Sequence, residues 1–337
     1  EGSMSVGKEK KSHGALGRRE FLKKGAAIGV TAPALGALGA KESEAQQVWD
    51  READFVTIGA GTSGLAAAVS ALDNGASVIM LDENYDIGGH GLVSGGNVHL
   101  GGGNSRQRKF GIEDSADKVY EDWVRHDHRD SRYSDRDLVR AFADENAEAF
   151  EFLVENGVEF QDQATGPQAA STVRRQGRTV QWPIASERVT HNATRVGSGL
   201  VRALEKSARA KGAEILLEHR MTKIIRENQF SGRVLGVTVE HRGTTMNIRA
   251  LKGVLVATGG SSSNVTLRRT FDPRLTDEYQ VAGEPWSRQT GDGELAAMEI
   301  GAALWATANQ TVESGNYMSK TRYIGCKWGY ASLIWEP

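Results

Sequence analysis

The sequence predicts an α/β fold in which a β-meander is inserted into a mainly parallel sheet. The first observation is the order of elements in residues 54–82: strand, glycine turn, helix, strand and a terminal carboxylate. The second is a group of three β-like segments within residues 221–249, followed by an apolar strand at 253–260 that ends in paired glycines. Together they predict one mainly parallel sheet with helices packed against it.

The first strand ends at a turn with the spacing G-x-G-x-x-G, formed by Gly59, Gly61 and Gly64. In such a motif the glycines allow a tight turn, a close approach to a pyrophosphate, and close packing of helix on strand. The helix that begins near Gly61 directs its unpaired N–H groups at those phosphates. Asp82 ends the second strand, where a carboxylate accepts hydrogen bonds from a ribose hydroxyl. A glycine-rich turn of another α/β domain is the alternative.

Glycine clusters follow the second strand at 88–91, 94–96 and 101–103. They predict that the backbone approaches something flat or charged, or adopts left-handed turns. A plain flexible loop is the alternative. Helices are predicted at 114–127 and 135–156, and the segment 161–190 is predicted to be an irregular connection because it has no clear period.

Regular structure is predicted again from Gly197, where a helix begins that ends before Gly212. A short strand follows at Glu214–Leu217. The three meander strands are predicted at Met221–Arg226, Val234–Glu240 and Thr244–Arg249, separated by turn residues. The apolar strand at 253–260 then returns the chain to the nucleotide sheet, and Gly291-Asp292-Gly293 opens a helix at Glu294–Ile300.

Composition and charge exclude several classes of function. The formal net charge of −2 comes without a block of positive charge suited to nucleic acid, so no nucleic-acid partner is expected. Cys326 is the only cysteine, which excludes disulfide frameworks and multi-cysteine metal sites. No metal site is predicted, and redox chemistry would have to come from a bound cofactor.

The first 45 residues are interpreted as an export signal and tail outside the fold. Arg18-Arg19 precedes Phe-Leu-Lys and a weakly apolar run at 25–40, which resembles a twin-arginine signal; a basic disordered tail is the alternative. The twin-arginine machinery is therefore an expected partner, and the location is periplasmic or otherwise extracytoplasmic. Because that route carries folded proteins, a tightly held flavin is expected rather than a diffusible nicotinamide.

Five motifs occur in an order that resembles a known family: GAGTSG at 59–64, LDE at 81–83, GGHGLVSGG at 88–96, ATGG at 257–260 and TGDG at 290–293. They are similar to those of the flavoprotein family of fumarate reductases, succinate dehydrogenase flavoprotein subunits and ketosteroid dehydrogenases. The resemblance implies a Rossmann-like FAD-binding domain at 50–305 with a helical insertion at about 107–190. Residues 306–337 would begin a substrate-capping domain.

The resemblance also implies a set of FAD-binding residues. The pyrophosphate would lie at Gly59, Gly61, Thr62, Ser63 and Gly64, and the adenosine ribose at Asp82 with Glu83 beside it. The flavin ring and ribityl chain would be lined by Gly89, His90, Ser94, Gly95 and Gly96. Met221 and Thr222 would meet adenine through their backbone. The ribose side would be closed over by Ala257, Thr258 and Gly259, and Asp292 would reach the ribityl hydroxyls.

The activity implied is hydride transfer between flavin and a C=C or C–C bond next to a carbonyl or carboxylate. A small-molecule substrate and an unidentified electron donor or acceptor would be the partners. His90 is interpreted as a loop histidine, because the local spacing is one residue shorter than in relatives that attach FAD through histidine. Residues 304–311 contain no histidine, so fumarate itself is not the expected substrate.

No catalytic residue is assigned from the sequence. Two alternatives to the oxidoreductase stay open. One is a truncated chain that binds FAD without a complete active site, and the other is a nicotinamide-dependent reductase with the same first motif.

Overall fold

The computed structural model describes residues 47–94, 98, 100–124, 135–160, 197–271, 273, 276, 277, 279–281, 287–304 and 317–319. All of them belong to one unit, Gln47–Pro337. The predictions for the signal at 1–45, for the connection at 161–190 and for most of 306–337 fall outside these residues. None of the described helices is both long enough and apolar enough to cross a membrane.

The described strands are β1 Arg51–Ile58, β2 Val78–Leu81, β3 Glu214–Leu216, β4 Arg220–Asn228, β5 Ser231–His241, β6 Thr244–Val256, β7 Tyr279–Val281 and β8 Tyr317–Ser319. The described helices are α1 Thr62–Asp73, α2 Gly89–Val93, α3 Ser105–Lys109, α4 Ala116–Val124, α5 Arg136–Asp144, α6 Asn146–Glu155, α7 Gly197–Ala210, α8 Val265–Phe271 and α9 Asp292–Glu299.

Six strands form one sheet in the order β3-β2-β1-β6-β5-β4, which confirms the predicted α/β class. The pairs β3–β2, β2–β1 and β1–β6 are parallel. Ile58 lies opposite both Leu81 and Val256. The carboxyl ends of three parallel strands therefore meet at one edge of the sheet, where ligands bind in folds of this class.

The meander is joined to this sheet differently from the prediction. A separate return strand at 253–260 was expected, but β6 is one continuous strand of 13 residues. Its first part pairs antiparallel with β5, and its second part pairs parallel with β1. Arg249 is opposite Gly236 on one side and Glu52 on the other, so the meander extends the nucleotide sheet. Gly253 lies within this strand and does not begin a new one.

The predicted helix at 135–156 is two helices. α5 ends at Asp144 and α6 begins at Asn146, with Glu145 between them. The buried Asn146 side chain accepts a hydrogen bond from the Gly101 N–H, while Phe142 on α5 packs edge-on against Trp123 of α4. The two helices contact different neighbours, and local periodicity carries no information about that.

The core lies on both faces of the sheet. On one face, α1, α6 and α7 pack against β2 through residues that include Leu65, Met80, Phe150, Val201 and Leu204. On the other face, α9 contributes Ala296 to a cluster with strand residues that include Val56, Ile58, Leu81, Val237 and Ile248. Val56 and Ile58 share one face because side chains alternate along a strand. This packing fixes the positions of the loops at the carboxyl edge.

Candidate functional site

A cleft of about 500 Å³ lies at the carboxyl edge of the sheet. Loops after β1, β2 and β6, the start of β4 and the segment 287–292 form its walls. Thirteen of the predicted cofactor residues line it: Gly59, Gly61, Thr62, Ser63, Asp82, Glu83, Gly89, His90, Met221, Ala257, Thr258, Gly259 and Asp292. Residues of all five sequence motifs, from 59–64 to 290–293, are thus brought to one place.

Three other predicted residues do not line the cleft. A Cβ on Gly64 would lie 2.0 Å from the Gly59 oxygen, so this glycine serves helix–strand packing. Ser94 donates its hydroxyl to the Gly91 oxygen at 2.9 Å, and the Thr222 hydroxyl lies 3.3 Å from the Thr238 oxygen. Gly95 and Gly96 lie outside the described residues.

The floor of the cleft is formed by the glycine turn and the beginning of α1. Gly59 has φ +102°, and a Cβ there would lie 2.3 Å from the Ala257 oxygen, so only glycine fits. Gly61 caps α1 without a side-chain hydrogen bond, and the first turn holds no acidic residue. The unpaired N–H groups and the positive end of the helix dipole therefore suit a pyrophosphate.

Asp82 is held by the backbone around it. One carboxylate oxygen accepts the Ala60 N–H at 2.8 Å, and the other accepts the Asn84 N–H at 2.9 Å. Burial raises the pKa of this carboxyl above its ordinary value, and the two backbone hydrogen bonds oppose that change. Each oxygen retains a second lone pair, so the carboxylate can also receive a ribose hydroxyl.

The N-terminus of α9 closes the opposite side. Gly291 has φ +78°, and a Cβ on Gly293 would lie 2.1 Å from the Thr258 hydroxyl oxygen. Asp292 accepts hydrogen bonds from Nε and Nη2 of Arg220 at 3.1 and 2.7 Å, and from the Thr290 hydroxyl at 2.9 Å. The predicted ribityl ligand is therefore already engaged in an ion pair with a residue of β4.

His90 connects two walls of the cleft. Its Nε2 lies 2.9 Å from the Ser287 carbonyl oxygen, which can only accept, so Nε2 carries the proton. Gln289 continues the same segment, with its carbonyl oxygen accepting the Ser263 N–H at 2.8 Å. The imidazole thus ties α2 to the 287–290 segment, a contact that the sequence does not reveal.

Several lining residues were not predicted: Asn84, Gly88, His219, Arg220, Ser287, Arg288, Gln289 and Thr290. The rings of His219 and His241 stack at 4.2 Å between centroids. Arg220 directly precedes the predicted Met221, but its acidic partners come from distant parts of the chain. Among the described residues, no group of three or more His, Cys, Asp or Glu side chains could hold a metal ion.

The loop after β2, which follows Asp82, is anchored to α7 by an ion pair. Arg202 Nη1 lies 2.9 Å from an Asp86 oxygen and 2.8 Å from Glu205 Oε2. The hydrogen bonds from Arg202 hold the pKa of the Asp86 carboxyl below its ordinary value. This pair therefore contributes stability above the unfolded-state pKa of Asp86, and the contribution is lost as the pH falls through the folded-state pKa.

We expect Asp86→Asn to lower the free energy of unfolding at pH 7 by about 1 kcal/mol, since the pair is part-buried and hydrogen-bonded. The difference from the unsubstituted protein should shrink below roughly pH 4 as the carboxyl is protonated. Denaturant titrations at several pH values measure it. Asp73→Asn, which removes the exposed partner of Lys211, is the control and should change stability by less than about 0.5 kcal/mol. A pH-independent loss for Asp86→Asn would contradict the prediction.

The sheet, the glycine turn and the acid at the end of β2 define a protein that binds a dinucleotide in extended form. The family model described as "FAD binding domain" matches residues 54–312. The chain belongs to this family, and its cofactor is FAD.

Curated relatives point in the same direction. The chain is 28% identical over 314 residues to the acrylate reductase flavoprotein subunit of Shewanella woodyi, covering 90% of this chain and 57% of the relative. It is 33% identical over 258 residues to the urocanate reductase of Eggerthella lenta, covering 75% of this chain and 39% of the relative. The chain thus spans roughly half the length, or less, of these relatives.

The fold is also found among solved structures. The crystal structure of 3-ketosteroid-delta4-(5alpha)-dehydrogenase from Rhodococcus jostii RHA1 superposes with a TM-score of 0.65 at 24% identity. The match covers 77% of this chain and 56% of that structure. This likeness shows a shared fold, and the family match over residues 54–312 confirms the resemblance predicted from the motifs.

Proposed function

We propose that the whole protein is an FAD-dependent oxidoreductase that transfers hydride between flavin and a C=C or C–C bond next to a carbonyl or carboxylate. The observation that carries this proposal is the cleft at the carboxyl edge, where the glycine turn and the acids of the FAD-binding family come together. The named substrates of two relatives, acrylate and urocanate, are both unsaturated carboxylates.

Within the cleft, each wall has a proposed role. The α1 N-terminus with Gly59 and Gly61 binds the pyrophosphate, because its N–H groups have no side-chain cap. Asp82 and Glu83 receive the adenosine ribose, and Met221 lies toward adenine. Gly89 and His90, which line the cleft, border the flavin; the flavin contacts predicted for Gly95 and Gly96 lie outside the described residues. When bound, the FAD supplies the redox step, and the chain supplies orientation and electrostatics.

The proposal includes export by the twin-arginine route. It is supported by the paired Arg18-Arg19, the weakly apolar run after it, and the need to load FAD before translocation. The partners proposed are this machinery, a small-molecule substrate and an electron donor or acceptor still to be identified. Fusing residues 1–45 to a reporter that is active only after folded export tests this part, with Arg18-Arg19→Lys-Lys as the control.

The direct test is the visible spectrum of the purified protein. We expect a yellow protein whose flavin bands bleach with dithionite and return when acrylate, urocanate or 4-androstene-3,17-dione is added to the reduced form. Acid precipitation should release the flavin into the supernatant, because His90 is interpreted as a loop residue. A folded protein that stays colourless with added FAD would overturn the proposal.

Flavin reoxidation and a titration with NADH distinguish the proposed oxidoreductase from the two alternatives. Bound flavin that bleaches but is not reoxidised by any unsaturated carbonyl compound or carboxylate would indicate a binding module without turnover. Titration with NADH in place of FAD tests the nicotinamide-dependent reductase, which would bind NADH in the absence of flavin.

A further inference from the structure

Three charged residues form a cluster at the cleft, which we call the acid–arginine cluster: Glu83, Arg220 and Asp292. Each lies on a different element, namely the loop after β2, the first residue of β4 and the first residue of α9. Arg220 Nε lies 3.7 Å from Glu83 Oε2, and its Nη2 lies 2.7 Å from Asp292 Oδ2. All three line the cleft.

The two acids are engaged differently by the guanidinium. Asp292 receives two N–H groups of Arg220 on one oxygen and the Thr290 hydroxyl on the other, which fixes its orientation. Glu83 is too far from Arg220 for a hydrogen bond, so the two interact through charge alone. The Glu83 oxygens therefore keep their capacity to accept hydrogen bonds from a ligand in the cleft.

Several charges act on Glu83. The pKa of Glu83 lies above its ordinary value, mainly because of burial and then because of the negative charge of Asp292. The negative charge of Asp82 raises it less. Arg220 and, more weakly, Arg288 lower it. Glu240 also interacts with Arg220, and His219 lies beside it in the cleft wall. Removing Arg220 leaves three carboxylates around the cleft with Arg288 as the one lining cation among the described residues.

We propose that Arg220 is a positioning residue for the cofactor: it orients Asp292 and places a positive charge beside Glu83, whose oxygens accept hydrogen bonds from cofactor hydroxyl groups. The inference rests on the proposed binding of FAD in this cleft. It adds a residue outside the glycine and acid motifs, and it gives Glu83 a role that depends on a cation from β4.

The same strand offers a matched control. Arg226 holds the other end of α9, because its Nη1 donates to the Ile300 oxygen at 2.6 Å and its Nε donates to the Gly232 oxygen at 3.0 Å. It does not line the cleft. Arg220 and Arg226 therefore both dock α9 on β4, and of these two only Arg220 also lines the cleft.

The test compares Arg220→Gln and Arg226→Gln in the full chain, with FAD affinity measured by flavin fluorescence from pH 5 to 8. Thermal unfolding without FAD reports docking of α9, and we expect both variants to lose stability. Arg220→Gln should weaken FAD binding at pH 7 by about tenfold, the loss of one charge-assisted interaction. In Arg220→Gln, Glu83 lacks the nearby positive charge and should become protonated at higher pH. As the pH is lowered, the FAD affinity of this variant should therefore begin to fall at a higher pH than that of the unsubstituted protein.

Two further variants isolate the charge. Arg220→Lys should restore most of the pH profile, because it keeps the positive charge but not the two N–H contacts to Asp292. Glu83→Gln should abolish the pH shift caused by Arg220→Gln when the two are combined. Arg226→Gln should leave FAD affinity within about twofold at every pH, because its interactions are remote from the cleft.

The inference is overturned if Arg220→Gln binds FAD with the affinity and pH profile of the unsubstituted protein, or if Arg226→Gln reproduces the same shift. Failure of the unsubstituted protein to bind FAD at any pH is a distinct result. It would remove the proposed function, and the acid–arginine cluster would then be only a structural tie.

Discussion

Replacing Gly59 with alanine is expected to lower the free energy of unfolding by about 3 kcal/mol or more, the sum of backbone strain and overpacking. The residue has φ +102°, and the added Cβ would lie 2.3 Å from the Ala257 oxygen and 2.7 Å from its carbonyl carbon. Both atoms are backbone, and they follow β6, which pairs with β1. The turn cannot relax without separating the two strands. Urea titration of the protein without FAD measures the effect.

Two other glycines serve as controls for this prediction. Gly75 has φ +76°, and no atom lies within 4 Å of the position that a Cβ would occupy, so Gly75→Ala reports the strain alone, about 1–2 kcal/mol. Gly61 has an ordinary φ of −77°, and its Cβ would meet only the Gly88 oxygen at 4.0 Å. Gly61→Ala should keep stability but weaken FAD binding, because the methyl group enters the cleft. Equal stability of Gly59→Ala and Gly61→Ala would contradict the described turn.

Introducing a carboxylate at Ser63 is expected to weaken FAD binding by about 100-fold or more. Two like charges 4 Å apart repel by about 4 kcal/mol at an effective dielectric constant of 20. Ser63 lies in the first turn of α1 and lines the cleft where the pyrophosphate is proposed to bind. The same carboxylate interacts favourably with the helix dipole, so Ser63→Asp should not lose stability without FAD. Affinity and stability therefore change independently.

Fluorescence titration with FAD measures the affinity, and thermal unfolding without FAD measures the stability. Ser63→Asn has a similar size without charge, and Ser70→Asp places the same charge on an exposed position of the same helix. Both should bind FAD within a few-fold of the unsubstituted protein. Tight binding by Ser63→Asp would show that the phosphates lie elsewhere.

The contribution of the sequence is clear in the first motif. The glycine spacing and the apolar residues before it predicted β1, the turn and α1, because each depends on local backbone freedom and local hydrophobic pattern. The helix from Gly197 and the helix opened by Gly291 were predicted for the same reason, and the structure confirms them. The assignments of individual residues to parts of FAD stay predictions.

The two errors in predicted secondary structure, at the strand 253–260 and at the helix 135–156, both involve contacts between residues that are far apart in the sequence. The sequence of β6 carries a glycine at 253 that was interpreted as the start of a new strand, but pairing with β5 and β1 keeps one strand continuous through it. At the break at Glu145, Asn146 accepts a hydrogen bond from the backbone of Gly101, which is far away in the sequence. Local periodicity is the same for one helix or two when the break is a single residue.

By itself, the sequence determined the α/β class, the glycine turn after β1, the acid at the end of β2 and the family, since these depend on neighbouring residues and fixed spacings. Only the tertiary structure showed which side chains meet across the cleft. Arg220 and Asp292 are 72 residues apart, and His90 and Ser287 are 197 apart. Such contacts depend on how strands are ordered in the sheet, and that order results from packing of the whole chain, which no local pattern records.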